Sequence, residues 1–175
     1  MNGTVTWGLL AAWVIHDAEE LATMSSWART RLPRLRERYP WLPGRVWRAM
    51  AKDQSETTLA IAGVGLVIAA ASVLGAASGG KSVFYQLVLA GFGLHAVVHL
   101  GFSTLVRGYT PGVVTALVVV APFSLWAWRR LAGQGLTTAV HSGDVLLAVA
   151  LLPVVIGTAR LLAWLALRNR GRAAG

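Results

Sequence analysis

Several apolar runs in this chain exceed the ~18 residues that mark a membrane-spanning helix. Their length constrains the fold more than any other feature. Of the 175 residues, 55% are hydrophobic and 13% are charged. Soluble proteins average roughly 45–50% apolar and about 25% charged residues. The composition therefore points to an all-α, polytopic membrane protein, a single integral membrane domain over residues 1–175. The net charge of +9 is not read as a nucleic-acid signal. Its Lys and Arg residues cluster beside apolar segments, as topology and anionic headgroups require. The chain has no cysteine, which removes disulfides and thiolate metal sites.

Read in order, the sequence predicts a bundle of five transmembrane helices. They run from about Thr4 to Met24, Gln54 to Leu74, Val83 to Val106, Gly112 to Trp128 and Asp144 to Leu167. The first segment has no basic residue ahead of its apolar run and no clear cleavage pattern, so it is expected to be a permanent helix and not a removable leader. Between the first two helices, residues 25–52 mix seven Arg and Lys52 with Trp27, Tyr39, Trp41 and Trp47. Pro33, Pro40 and Pro43 break this stretch. It is expected to be an interfacial segment lying on headgroups, with Trp41 and Trp47 as anchors. Twelve Lys and Arg fall on the side holding this segment, Arg107 and the tail, and three on the other. The positive-inside rule then puts the N-terminus outside and the C-terminus in the cytoplasm, in the cell's inner membrane.

That topology assigns a depth to each buried polar group. His16, Glu19 and Glu20 stand at i, i+3 and i+4 of the first helix and share a face. Asp53 and Glu56 fall at the same level where the second helix begins, and His95 and His99 lie in the inner half of the third. Arg107 and Tyr109 follow directly. Ionisable groups are costly in a bilayer and mark functional sites by default. Imidazole and carboxylate together suit zinc, iron or manganese, and helical bundles build such sites from inward Glu and His. The candidate metal ligands are His16, Glu19, Glu20, Glu56, His95 and His99, enough for one ion or for two sharing carboxylates. A metal-free, hydrogen-bonded cluster is the alternative. Asp17 stands about 100° round from His16, in an outer or solvated position. Glu56 could equally cap its helix. Arg160 needs a buried partner or must snorkel, and His141 and Asp144 belong to the opposite end.

The ordered motifs His16-Asp17-Ala18-Glu19-Glu20, His95-Ala96-Val97-Val98-His99 and Arg107-Gly108-Tyr109-Thr110-Pro111-Gly112 resemble those of the HXXEE-domain family of small prokaryotic membrane proteins. The family's domain has no known function. The resemblance implies only that His16, Glu19, Glu20, His95, His99, Arg107 and Tyr109 act as one unit.

The residues themselves suggest a membrane-embedded, metal-dependent enzyme acting on a lipid-like or hydrophobic substrate near the cytoplasmic leaflet. Glu19 or Glu20 would serve as ligand or general base, with Arg107 and Tyr109 orienting the substrate. Zinc would imply hydrolysis, and two irons would imply oxidation. A metal- or proton-coupled carrier is the competing reading. It lacks an inverted repeat and a second polar half, although a homodimer would restore symmetry. A heme-binding subunit using His95 or His99 ranks last, because the acids fit heme poorly.

Overall fold

The chain folds as its apolar runs require. In a computed structural model that describes residues 3–50, 54–137 and 157, every regular element is helical. The elements are α1 (Gly3–Thr30), α2 (Leu32–Arg38), α3 (Gly44–Met50), α4 (Gln54–Ala77), α5 (Val83–Val106), α6 (Val113–Thr115) and α7 (Ala121–Gly133). A π-helical segment, Ala116–Val120, joins α6 to α7 without a break. Three stretches among the described residues are long and apolar enough to cross a membrane: Thr57–Ala77, Val83–Val106 and Val113–Gly133. This is fewer than the five spans expected. The 28-residue α1 has the length, but Asp17, Glu19 and Glu20 set it apart from the other three. The segment from Asp144 to Leu167, with Arg160, lies outside the described residues except for Gly157.

Residue contacts give the helix directions. On α1 and α4, Thr6 lies at Gly75 and Trp13 at Gly65, so the two helices are antiparallel. On α1 and α5, Val5 meets Tyr85 and His16 meets His95, so these two run parallel. The α6–α7 helix returns against both, with Phe123 at Gly8 and Ser124 at Gly93. The core between them holds Leu9, Ile68, Tyr85, Leu89, Phe92 and Val120. Leu66, Val97, Leu117 and Val118 point outward, as they would on a lipid-facing surface. Ser82 caps α5 by accepting the Tyr85 N–H, which satisfies one otherwise unpaired donor of the first turn.

The basic segment differs from its expectation. α1 continues to Thr30 because Trp27 is buried. Its indole N–H donates to the Tyr109 carbonyl at 2.9 Å, and its ring meets Phe102 edge-on. The prolines divide the segment as expected: α1 ends at Thr30 and Pro33 sits in the first turn of α2, where a missing N–H costs nothing. Trp47 is only 6% exposed, packed with Trp27 and Leu32, whereas Trp41 is 72% exposed. Of the two expected interfacial anchors, only Trp41 is free to act as one. Tyr39 donates to the Leu105 carbonyl, so the segment docks on the end of α5.

Close helix approach depends on small residues. A Cβ on Gly75 would lie 2.6 Å from Tyr85 Cγ and 3.1 Å from Thr6 Cγ2. Tyr85 cannot yield, because it is fully buried and its hydroxyl donates to the Val5 carbonyl at 2.7 Å. Gly75→Ala should therefore destabilise the protein by about 1–3 kcal/mol in thermal unfolding in detergent. Gly91→Ala, where a Cβ meets nothing within 4 Å, should be neutral or stabilising by up to about 1 kcal/mol.

Candidate metal centre

The middle of α1, the second half of α5 and the α5–α6 turn meet in one layer. His16 and Glu20 come from successive turns of α1, and His95 and His99 from successive turns of α5. In both pairs the i, i+4 spacing stacks the side chains on one face. One donor atom from each of these four residues lies within 4.8 Å of the others. His95 Nε2 stands 3.1 Å from His16 Nε2 and 2.9 Å from His99 Nε2. Glu20 Oε1 is 3.1 Å from His99 Nε2 and 4.0 Å from His16 Nε2. Tetrahedral zinc with bonds of ~2.0–2.1 Å separates its ligands by about 3.3 Å. The observed spacings straddle that value.

The outer ring nitrogens fix which atoms face inward. His99 Nδ1 lies 3.0 Å from the Pro111 carbonyl. A carbonyl only accepts, so Nδ1 carries the proton and, in the neutral ring, Nε2 presents a lone pair. His16 Nδ1 lies 2.9 Å from Thr115 Oγ1, and that hydroxyl donates to Glu19 Oε2 at 2.6 Å. His16 therefore also carries its proton on Nδ1. With His16 and His99 neutral, lone pairs of both face His95 Nε2, which can hold at most one proton, and His99 Nε2 also faces a carboxylate oxygen. In that protonation state the cluster has more acceptors than protons, and His16 is 1% exposed. A shared cation would resolve this excess.

The other predicted residues divide. Glu19 belongs to the layer but is turned away from the four donors. Its Oε2 also accepts the Thr115 N–H at 2.7 Å, and its Oε1 accepts from the Tyr109 hydroxyl at 2.8 Å and, at 3.4 Å, from the Val114 N–H. A carboxylate at unpaired N–H groups of a helix start is favoured by hydrogen bonding and by the helix dipole. Tyr109 is thus held by Glu19. Partial burial and this carboxylate raise its phenol above the ordinary range. Arg107 ends α5 in a left-handed conformation (φ 52°), with its N–H bonded to Ser103 and Thr104 carbonyls. Its guanidinium is exposed and forms no ion pair among the described residues. Asp17 is 8% exposed, hence not solvated, and stands outside the four-donor group. Glu56 lies in the first turn of α4, but its side chain is outside those described, as are Asp53, His141 and Asp144.

Two contributors carried no obvious sequence signal. Thr115 looks like one more small residue in an apolar run, yet it touches both His16 and Glu19. The π-helical segment starts directly after it, a feature frequent at functional sites. Gly112 roofs the cluster with φ +81°, and a Cβ there would sit 2.8 Å from His99 Cε1 and 2.9 Å from His16 Cε1. The Pro111-Gly112 pair signalled a turn, though not its closeness to the histidines.

Fold and site together define an all-helical protein with membrane-length helices and a buried His/Glu group that could hold a metal ion. The chain belongs to the HXXEE family, described as "Protein of unknown function with HXXEE motif", whose model matches residues 7–127. The motif is the His16–Glu20 stretch of α1. No curated protein and no solved structure matches the chain.

Gly112→Ala combines an unfavourable φ, costing about 1–3 kcal/mol, with overlap on two imidazoles. It should lower thermal stability and displace His16 and His99, measured as a lower melting temperature together with weakened binding of added Zn²⁺ or Co²⁺.

Proposed function

We propose that this protein is a membrane-embedded, metal-dependent enzyme acting on a lipid-like or hydrophobic substrate, with its site near the cytoplasmic leaflet. The convergence of His16, Glu20, His95 and His99 within 4.8 Å carries the reading. Three imidazoles and one carboxylate suit a borderline divalent ion such as zinc. Two irons would need further carboxylates as bridges, and Glu19 is already taken up by Thr115, Tyr109 and Val114. We therefore favour a single ion and hydrolysis over paired irons and oxidation. When bound, such an ion supplies Lewis-acid polarisation of a carbonyl or phosphoryl group and a nucleophile at neutral pH.

The chain's own residues would do the rest. Glu20, half of whose carboxylate is free of the His99 contact, is the candidate for moving a proton at the site. Tyr109, 39% exposed, stands at the rim with its hydroxyl toward Glu19. The exposed Arg107 at the same end would meet an anionic group of a substrate or a headgroup. The apolar outer faces of α4, α5 and α7 support membrane residence. The charge asymmetry supports an N-terminus outside. The carrier reading fares less well: away from this layer, the buried polar residues among those described are Thr6, Ser72, Gln86 and Ser124, none of which titrates in a useful range.

Elemental analysis of the purified protein tests this directly. Stoichiometric transition metal is expected, lost in a His95→Ala/His99→Ala variant whose helical content is unchanged. Metal-free protein that also binds no added Zn²⁺, Mn²⁺ or Fe²⁺ would remove the reading. Comparison of membrane lipids with and without active protein should reveal a changed species, whereas vesicle flux of metal or protons would favour the carrier.

A further inference from the structure

The Thr115 hydroxyl bridges two groups that never touch each other: the Glu19 carboxylate and the His16 ring. We propose that Thr115 and Glu19 together set the tautomer of His16 and, through it, the affinity of the four-donor site for a divalent metal ion. The proposal rests on the metal-site reading above.

A hydroxyl has a single proton. Three acceptors lie within reach of Thr115 Oγ1: Glu19 Oε2 at 2.6 Å, His16 Nδ1 at 2.9 Å and the Gly112 carbonyl at 3.3 Å. The carboxylate oxygen is the nearest and carries the charge, and charge-assisted bonds are the shorter and stronger ones. The proton therefore goes to Glu19, and the Thr115 oxygen must accept from His16 Nδ1–H. Were Glu19 not there, the hydroxyl could donate to His16 Nδ1 instead. The ring would then carry its proton on Nε2, aimed at His95 Nε2 3.1 Å away, and one of the four donors would be blocked.

Among the described residues nothing nearby competes for these roles. Glu19 is anchored from both oxygens by Thr115, Tyr109 and Val114, so it cannot swing in as a ligand. His16 is buried, with the Phe92 ring edge-on at 6.3 Å. Ligating histidines generally donate their second N–H to such an oxygen partner, and losing it typically costs 10–100-fold in metal affinity. Here that partner is a threonine hydroxyl fixed by a glutamate. His99 solves the same problem with a backbone carbonyl. This gives the two glutamates of the motif different tasks: Glu20 at the donor cluster and Glu19 behind His16. Thr115 is thus a positioning residue and touches no ion itself.

The test is Zn²⁺ affinity of the full-length protein in detergent, measured by chelator competition. Thr115→Val, which removes the hydroxyl at nearly constant volume, should weaken binding by about 10–100-fold. Thr115→Ser restores the oxygen and should stay within a few-fold of wild type, and Glu19→Gln should weaken binding in the same direction as Val. Thr104→Val, removing an exposed hydroxyl bonded to the Leu100 carbonyl, should change nothing. Wild-type affinity in Thr115→Val would overturn the proposal and leave the metal site standing. Absence of Zn²⁺ binding in the wild type would instead reject the metal site. Imidazole ¹⁵N shifts of metal-free wild-type protein, with His16 assigned through its own backbone and side-chain resonances in the wild-type chain, read the claim without any variant. A proton on His16 Nδ1 supports it, and one on Nε2 contradicts it.

Discussion

Three imidazole nitrogens and one carboxylate oxygen, held within 4.8 Å of one another in a helical bundle, are the constraint on which the rest of the site depends. Such a group is unfavourable in apolar surroundings unless its lone pairs find protons or a cation. Much of the surrounding architecture serves to hold it in one arrangement. α1 and α5 run parallel, so that an i, i+4 pair on each can meet at one level. The α5–α6 turn closes over the group with a glycine because no side chain fits against His16 and His99. The start of the following helix offers its free N–H groups to Glu19, so the returning helix is fastened to α1 by the residue next to Glu20.

This construction links the ends of the bundle to the site. Trp27 bonds the Tyr109 carbonyl and Tyr39 the Leu105 carbonyl. The basic segment between α1 and α4 is thus pinned to the turn that carries Tyr109 and Gly112. A segment expected to float on headgroups is partly a brace. Its buried Trp47 and exposed Trp41 divide those two tasks, one packing against protein and the other free to meet lipid. Trp and basic residues look alike in either role, so composition alone did not separate them.

The parts of the fold and site that were legible in the sequence are those set by periodicity. Apolar runs announced α4, α5 and the α6–α7 helix, and the i, i+4 spacings announced His16 with Glu20 and His95 with His99. Glu19 and Glu20 are adjacent and chemically identical. A helix turns them about 100° apart, and only the neighbours at each azimuth decide which reaches the histidines. Thr115 was invisible because its role comes from a residue 96 positions away, and a lone hydroxyl in an apolar helix usually bonds its own backbone. The prolines of the basic segment marked its breaks: Pro33 opens α2, and Pro40 and Pro43 lie between α2 and α3.

The proposed function requires one divalent ion among the four clustered donor atoms. Anomalous diffraction at the metal absorption edge, on crystals of protein purified without chelator, tests it most directly. A single peak is expected between the Nε2 atoms of His16, His95 and His99 and the carboxylate of Glu20, with Glu19 still bonded to Thr115. A peak elsewhere, a pair of peaks bridged by Glu19, or no peak after soaking with zinc would contradict it.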